Sequence, residues 1–419
     1  QVYITTPGNR NNVDAETVRL RILQEYGEVG LNWLPENSAH SGYNAFFTIW
    51  DKYKTEVKRL YVYSDNPSLS DSMNVAAMLG GRNEGIAVCQ ELADLIVAEY
   101  SGLEVINVMD YMGLPDEKAN TFGINEWIRD NMIEGSNKQF VFCSTPSPRE
   151  ELEDDYFRTY DLAIATDSLI YYAWHSLDAG KELQKSILDQ FPSAIPVIGW
   201  GTIDNEWDFI ASVSNCGKCV LASGWNYGNG SVWGAFPSWS YNAEGESKVV
   251  NPVPENFEVA DNQVYIAFTM SDGDSLQASE KDTLCFWETT VHGNQPIGWT
   301  VPVMFADFCP LILEYLYDTQ TEMDDLMQGA CGAGYIYASE MPEADYEIYL
   351  QKTQYYFRRT GMNMVNYWDR GANFNSMVGV DKDLIYKYAD MVDLDAIWRG
   401  HNSPDPDYEI YNDTLLMCE

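Results

Sequence analysis

Positive charge is scarce in this chain: 25 Lys and Arg stand against 64 Asp and Glu, a formal net charge of −39 over 419 residues. Phosphate backbones and anionic membrane surfaces are held by clustered cations, so both are poor partners for such a surface, and nucleic acid is not expected. An acidic surface also keeps exported bacterial proteins soluble without naming a ligand. No run of about 18 apolar residues occurs, so no helix is expected to cross a bilayer. The chain starts at Gln1 without a basic and apolar leader, so any signal peptide is expected to lie outside it.

Other signatures are missing too. Of the eight cysteines, only Cys216-Gly-Lys-Cys219 has ligand-like spacing, and no second pair exists to complete a structural zinc site. No strand is followed by the dinucleotide glycine pattern, which removes the usual support for hydride transfer. No Ser/His/Asp order or helix-borne metal motif is visible around His40 or His175.

What is present is ample apolar content, 45% of residues, enough for a sizeable core, in a chain long enough for two domains. Short β-rich runs alternate with helical patterns. They are RLYVYS from Arg59, GIAVC from Gly85, EVINV from Glu104, QFVFC from Gln139, DLAIAT from Asp161, IPVIGW from Ile195 and CVLAS from Cys219. Such alternation predicts an α/β domain with a mostly parallel sheet. CQELADLIVAEYSG, from Cys89, is one of the helical segments between, with Gly102 where a helix should stop. A Gly-, Ser- and Asn-rich stretch without sustained period then leads to NPVPEN, whose Pro252 and Pro254 suit a connector. The expected division is an N-terminal α/β domain over 1–250, a linker over 251–262 and a C-terminal β/α barrel-like domain, incomplete or closed, over 263–419.

In the second half, strands are predicted at QVYIAFTM from Gln263, PIGWTVPV from Pro296, GAGYIYA from Gly332, GMNMVNYW from Gly361 and LDAIW from Leu394, with a helix over 309–329. Function in β/α folds gathers at the C-terminal strand ends. Here those ends carry Asp272 and Asp274, Asp307, Glu340, Asp369 with Arg370, and Arg399 with His401. Aromatic neighbours are Trp299, Tyr335, Tyr337 and Trp368, and PVIGWG places Trp200 at a strand end as PIGWT does Trp299.

Paired carboxylates beside aromatic faces are what glycosidic cleavage requires. One acid protonates the leaving oxygen, a second attacks or activates water, and ring faces stack on the sugar. Asp272 and Asp274 are too close together to oppose one another, so one of them is expected to pair with Glu340 or Asp369. The substrate contacts expected are Trp200, Trp299, Asp307, Tyr335, Tyr337, Trp368 and Arg370. The segment SDGDS is also ordinary turn composition. A third alternative is an Asp-x-Asp clamp for a divalent ion, as a nucleotide-sugar glycosyltransferase would need, although no phosphate cradle accompanies it. Otherwise no cofactor and no metal site are expected. The calcium-loop pattern fails for want of its further ligands.

At Gly332-Ala-Gly334-Tyr335-Ile-Tyr337 the chain resembles the GxGYxYP family of bacterial proteins, described as glycoside hydrolases and named for that string. The likeness extends to YIAFTMSDGDSLQ, PIGWTVPVMFADFCPLILEYLY and DDLMQGACGAGYIYASEMP in the second half. It also takes in PVIGW and SVSNCGKCVLASGWNYGNGSVW in the first. Two positions depart from the family: Ala338 stands at its closing proline and Ser275 at the usual asparagine of SDGDN. The resemblance implies a carbohydrate-active, secreted, periplasmic or cell-surface protein acting on a poly- or oligosaccharide. A non-catalytic glycan-binding or scaffolding role remains its alternative.

Overall fold

The computed structural model describes residues 9–10, 13–32, 43–144, 159–173, 177–200, 206–223, 228–240, 266–270, 273, 275–276, 278–369, 381–399 and 408–418. The first strands are β1 (Asn9–Arg10), β2 (Val13–Asp14), β3 (Arg59–Val62), β4 (Gly85–Val88) and β5 (Glu104–Asn107). There follow β6 (Val141–Cys143), β7 (Ile170–Tyr171), β8 (Pro196–Gly199) and β9 (Cys219–Leu221). The second half carries β10 (Thr269–Met270), β11 (Ile297–Thr300), β12 (Asp324–Met327), β13 (Met364–Tyr367), β14 (Ala396–Arg399), β15 (Tyr408–Tyr411) and β16 (Thr414–Cys418). A parallel sheet runs β4-β3-β5, and a second runs β7-β6-β8-β9. The third is β10-β11-β12, and the fourth is β13-β14-β16 with β15 antiparallel on its edge. The fold is α/β with mostly parallel sheets, as the alternation predicts.

A parallel bridge between Gln328 and Val365 carries the third sheet into the fourth, so β10, β11, β12, β13, β14 and β16 follow one another in one series. It ends on β15, and among the described residues no strand pair closes it on β10. Ala222, just past β9, bridges Ser275 in parallel, and Val220 bridges Tyr335 antiparallel. The second sheet of the first half is thereby stitched to the third. The main core is correspondingly continuous, from Val18 and Ile22 through Val197 and Ile198 to Ile397 and Leu416. A smaller core gathers Phe47, Trp50, Leu60, Val88 and Ile96. The proposed linker 251–262 lies outside the described residues.

Local chemistry accounts for element ends. Asn107 accepts from the N–H groups of Met109 and Asp110 and starts the Val108–Met112 helix. Gly361, at φ +80°, ends the long Glu343–Thr360 helix. The predicted helix at Cys89 forms over Gln90–Glu99.

Three segments differ from their predicted state. DLAIAT is helical over Tyr160–Ala165, because a six-residue apolar run has no period to separate strand from helix, and the strand comes after it at β7. Residues 309–329 hold a helix only over Pro310–Thr319, followed by β12. GAGYIYA is not a strand of the C-terminal series: β12 takes that place, and the string crosses to β9.

Candidate active-site crevice

The glycines of GAGYIYA explain that crossing. Gly332 and Gly334 have φ of +131° and +118°, which side-chain-bearing residues rarely adopt. A Cβ on Gly334 would lie 2.9 Å from Cys219 Sγ and 3.0 Å from the Val220 carbonyl oxygen. Only glycine lets the backbone approach β9 closely enough for Tyr335 N–H to donate to Val220 O at 2.7 Å and Val220 N–H to donate back at 2.8 Å. Phenols fix the loop from outside, Tyr349 donating to Gly334 O at 2.7 Å and Tyr388 to Cys331 O at 2.8 Å.

Beyond the bridge the string runs along the Glu206–Asn215 helix. Tyr335 donates to Glu206 Oε1 at 3.3 Å, and Tyr337 stacks on Trp207 with centroids 6.4 Å apart. Tyr337 N–H donates to Ser214 Oγ at 3.0 Å, and Asn215 Nδ2 donates to Glu340 Oε2 at 3.1 Å. Residues from both ends of this helix, Glu206 and Trp207 at its start and Ser214 and Asn215 at its finish, thus hold the 335–340 segment. Tyr335 also meets Trp368 edge-on at 5.7 Å and lies 3.2 Å, oxygen to oxygen, from Tyr337. Both tyrosines are 1% exposed, while Trp207 and Trp368, which pack against them, are half-buried.

Asp369 follows β13 and binds the turn at Ala338–Glu340. It accepts from Ser339 Oγ at 2.7 Å, and from Ser339 N–H at 3.1 Å to one oxygen and 3.4 Å to the other. Glu340 and Asp369 therefore meet at one turn, with Glu206 across the aromatic row. The alanine at 338 leaves that turn intact, because Asp369 secures it from the side. Ser275 Oγ accepts from Ala278 N–H at 3.3 Å, a local cap in place of whatever the usual asparagine supplies.

Asp272, Asp274 and Arg370 lie outside the described residues, as does His401. Between the two aspartates, Gly273 is described: its N–H donates to Thr300 Oγ1 at 3.0 Å, and a Cβ there would lie 2.2 Å from the Thr300 carbonyl carbon. The glycine of SDGDS is thus set by its passage over the end of β11. Trp200 packs edge-on against Phe209 of the same Glu206–Asn215 helix at 5.9 Å.

Trp299 and Asp307 stand apart from it. Trp299 lies within β11, 3% exposed, its indole N–H donating to Asp324 Oδ1 at 2.8 Å and its ring 5.1 Å from Trp287. It faces the helices, and its likeness to Trp200 ends at the sequence. Asp307 pairs with Arg359 at 2.8 Å and accepts from Tyr356 at 2.5 Å. Burial alone would raise its carboxyl, but hydrogen bonds from Tyr356, Ser238 and Arg359 outweigh that and hold it below the usual range.

Two acids escaped sequence reasoning. Glu206 sits on a helix several residues past β8, and only the crossing of Tyr335 brings it to this cluster. Glu280, in the π-helix Ala278–Thr283, is 1% exposed, 3.4 Å from Arg19 Nη1, and accepts from Trp233 Nε1 at 3.0 Å. Burial pushes its carboxyl up to about 7 despite the opposing pull of Arg19 and the Trp233 hydrogen bond. Irregular π turns often mark functional segments, and this one follows SDGDS directly.

The profile described as "GxGYxYP putative glycoside hydrolase C-terminal domain" matches residues 262–417, and that of the "GxGYxYP third domain" matches 139–235. A crystal structure from Bacteroides thetaiotaomicron VPI-5482, described as "a putative hydrolase", aligns over 100% of this chain and 73% of its own, with TM-score 0.78 at 22% identity. At that identity the likeness is one of fold. No curated protein matches significantly. With the two profiles taking in well over half of the sequence, this chain belongs to the GxGYxYP family.

Proposed function

We propose that this protein is a glycoside hydrolase of poly- or oligosaccharides, working at the crevice between the Glu206–Asn215 helix and the C-terminal strand ends. The observation that supports it most is the gathering of Glu340 and Asp369 at the Ser339 turn, with Glu206 across a row of aromatic residues. General acid and base work divides between carboxylates on two sides of the scissile bond. Glu206 offers one side; Glu340 or Asp369, with Asp272 or Asp274, offers the other. Trp207, Trp368 and Trp200 supply apolar faces for pyranose rings, and Arg370 a polar contact. The reaction needs no cofactor; a divalent ion at Asp272 and Asp274 belongs to the nucleotide-sugar alternative. We place the protein outside the cytoplasm of a bacterium, where such glycans are met.

A glycan panel read by release of reducing ends tests this. E206Q, D272N, D274N, E340Q and D369N are each compared with wild type. At least two are expected to lose about a hundredfold or more in kcat, the usual weight of a proton-transferring group. A cleaving wild type whose five variants all keep full activity sinks the assignment. A second reading, glycan binding without cleavage, draws on the structural work of Asp369 and Glu340, whose carboxylates bind Ser339 and Asn215. Calorimetric binding with no release of ends on any glycan would favour it.

A further inference from the structure

In the C-terminal series the helices cover one face. Val365, Tyr367, Ile397 and Leu416 are fully buried, Tyr367 edge-on to Tyr388 of the Lys382–Met391 helix at 5.7 Å. Alternate residues point the other way. On that inner face lie Met364 and Asn366 of β13, Ala396 and Trp398 of β14, and Leu415 and Met417 of β16, with Asn366, Trp398 and Met417 in register. Met364, Trp398, Leu415 and Met417 are only half-buried, so solvent reaches this face.

Among the described residues, two polar atoms there have no hydrogen-bond partner: Asn366 Oδ1, an acceptor on a residue 7% exposed, and the indole donor Trp398 Nε1, both shut off from solvent. A buried acceptor and a buried donor left unmade are each costly. Side chains at paired positions of neighbouring strands stand about 5 Å apart, near enough for one small group to serve both. A hydroxyl fits that pair, since its O–H donates and its lone pair accepts, whereas a carboxylate or ammonium answers only one of them. The indole face and the Met417 side chain supply the apolar surface that a pyranose ring covers.

We propose that Asn366 and Trp398 form a sugar subsite on the inner face, one ring hydroxyl bridging the two atoms and the ring lying against Trp398. This rests on the carbohydrate reading above, and extends it to residues one position short of the strand ends, with Asp369 three residues beyond Asn366. Both atoms are closed to solvent in the free protein, so the side chains over them part as the hydroxyl enters.

Tryptophan labelled with 15N at the indole gives a direct readout, W398F identifying the Trp398 resonance. The protein is titrated with glucose, galactose, mannose, xylose and N-acetylglucosamine. At least one is expected to move that resonance saturably, its deoxy analogue lacking the bridging hydroxyl to bind roughly tenfold more weakly, and N366L to weaken the parent sugar by a similar factor. If no sugar moves the resonance, or every deoxy analogue binds as tightly as its parent, the subsite is overturned. The deoxy comparison decides on wild type should N366L fail to fold. Binding is read without turnover: a glycan-cleaving protein with a silent Trp398 loses the subsite and keeps the hydrolase reading. A protein that cleaves nothing but titrates at Trp398 does the reverse.

Discussion

Gly334 and Gly102 both have positive φ, +118° and +97°, but differ in what surrounds them. Around Gly102 a Cβ would meet nothing within 4 Å; around Gly334 it would strike the β9 backbone and Cys219. G102A is therefore expected to cost about 1 kcal/mol, the conformational penalty alone, and G334A about 3 kcal/mol or more, because a strand pairing is broken as well. Denaturation midpoints of the two variants measure the gap, and equal losses would contradict the close approach. The family string is thus legible as glycine and tyrosine in alternation, while its role is not. Alternation suggests a strand of the nearest sheet, and only the backbone contact with Val220 reveals which sheet it serves. Trp299 is a parallel case: its place after a glycine resembles that of Trp200, but strand register puts it beside Leu326 on the helix-facing side.

At the scale of elements, the π-helix Ala278–Thr283 carries the most consequential titration. The folded value for Glu280, about 7, lies above the ordinary one, so the native state holds its proton more tightly than the unfolded chain does. Its contribution to stability is full at pH below the ordinary carboxylate range and is lost as pH rises to about 7. Asp71 and Asp325, both raised by burial to about 6, act in the same direction. Melting temperature should fall from pH 5 to pH 8. E280Q, which keeps an acceptor for Trp233, should remove the part of the fall due to Glu280, on the order of 2–3 kcal/mol. An unchanged pH slope in E280Q would mean that Glu280 titrates normally. No sequence signal marks this residue, since a lone Glu in a helical segment is ordinary until folding surrounds it with Trp233 and Arg19. The apolar runs IPVIGW and CVLAS, by contrast, are legible because strands buried on both faces read as continuous hydrophobic stretches.

For the molecule as a whole, the formal charge of −39 adds self-repulsion that also grows with pH. The two effects separate by salt. Raising ionic strength from about 0.01 M to about 1 M shortens the screening length from about 30 Å to about 3 Å, which relieves surface repulsion and leaves buried Glu280 nearly untouched. At pH 8 salt should therefore raise the melting temperature of wild type and E280Q by similar amounts. A gain confined to wild type would locate the repulsion at Glu280 instead.

The stitch between β9 and the Tyr335 segment has a kinetic side. Cys219 and Ala333 are 114 residues apart and in direct contact. Contacts so distant along a chain close late, after each participating sheet has formed its own local pairs. During synthesis Glu206 emerges well before Tyr335 and Glu340, so its helix cannot meet the 335–340 segment while the ribosome still holds that segment. A chain stalled or cut before residue 335 therefore lacks both the Tyr335–Val220 pairing and the Asn215–Glu340 contact.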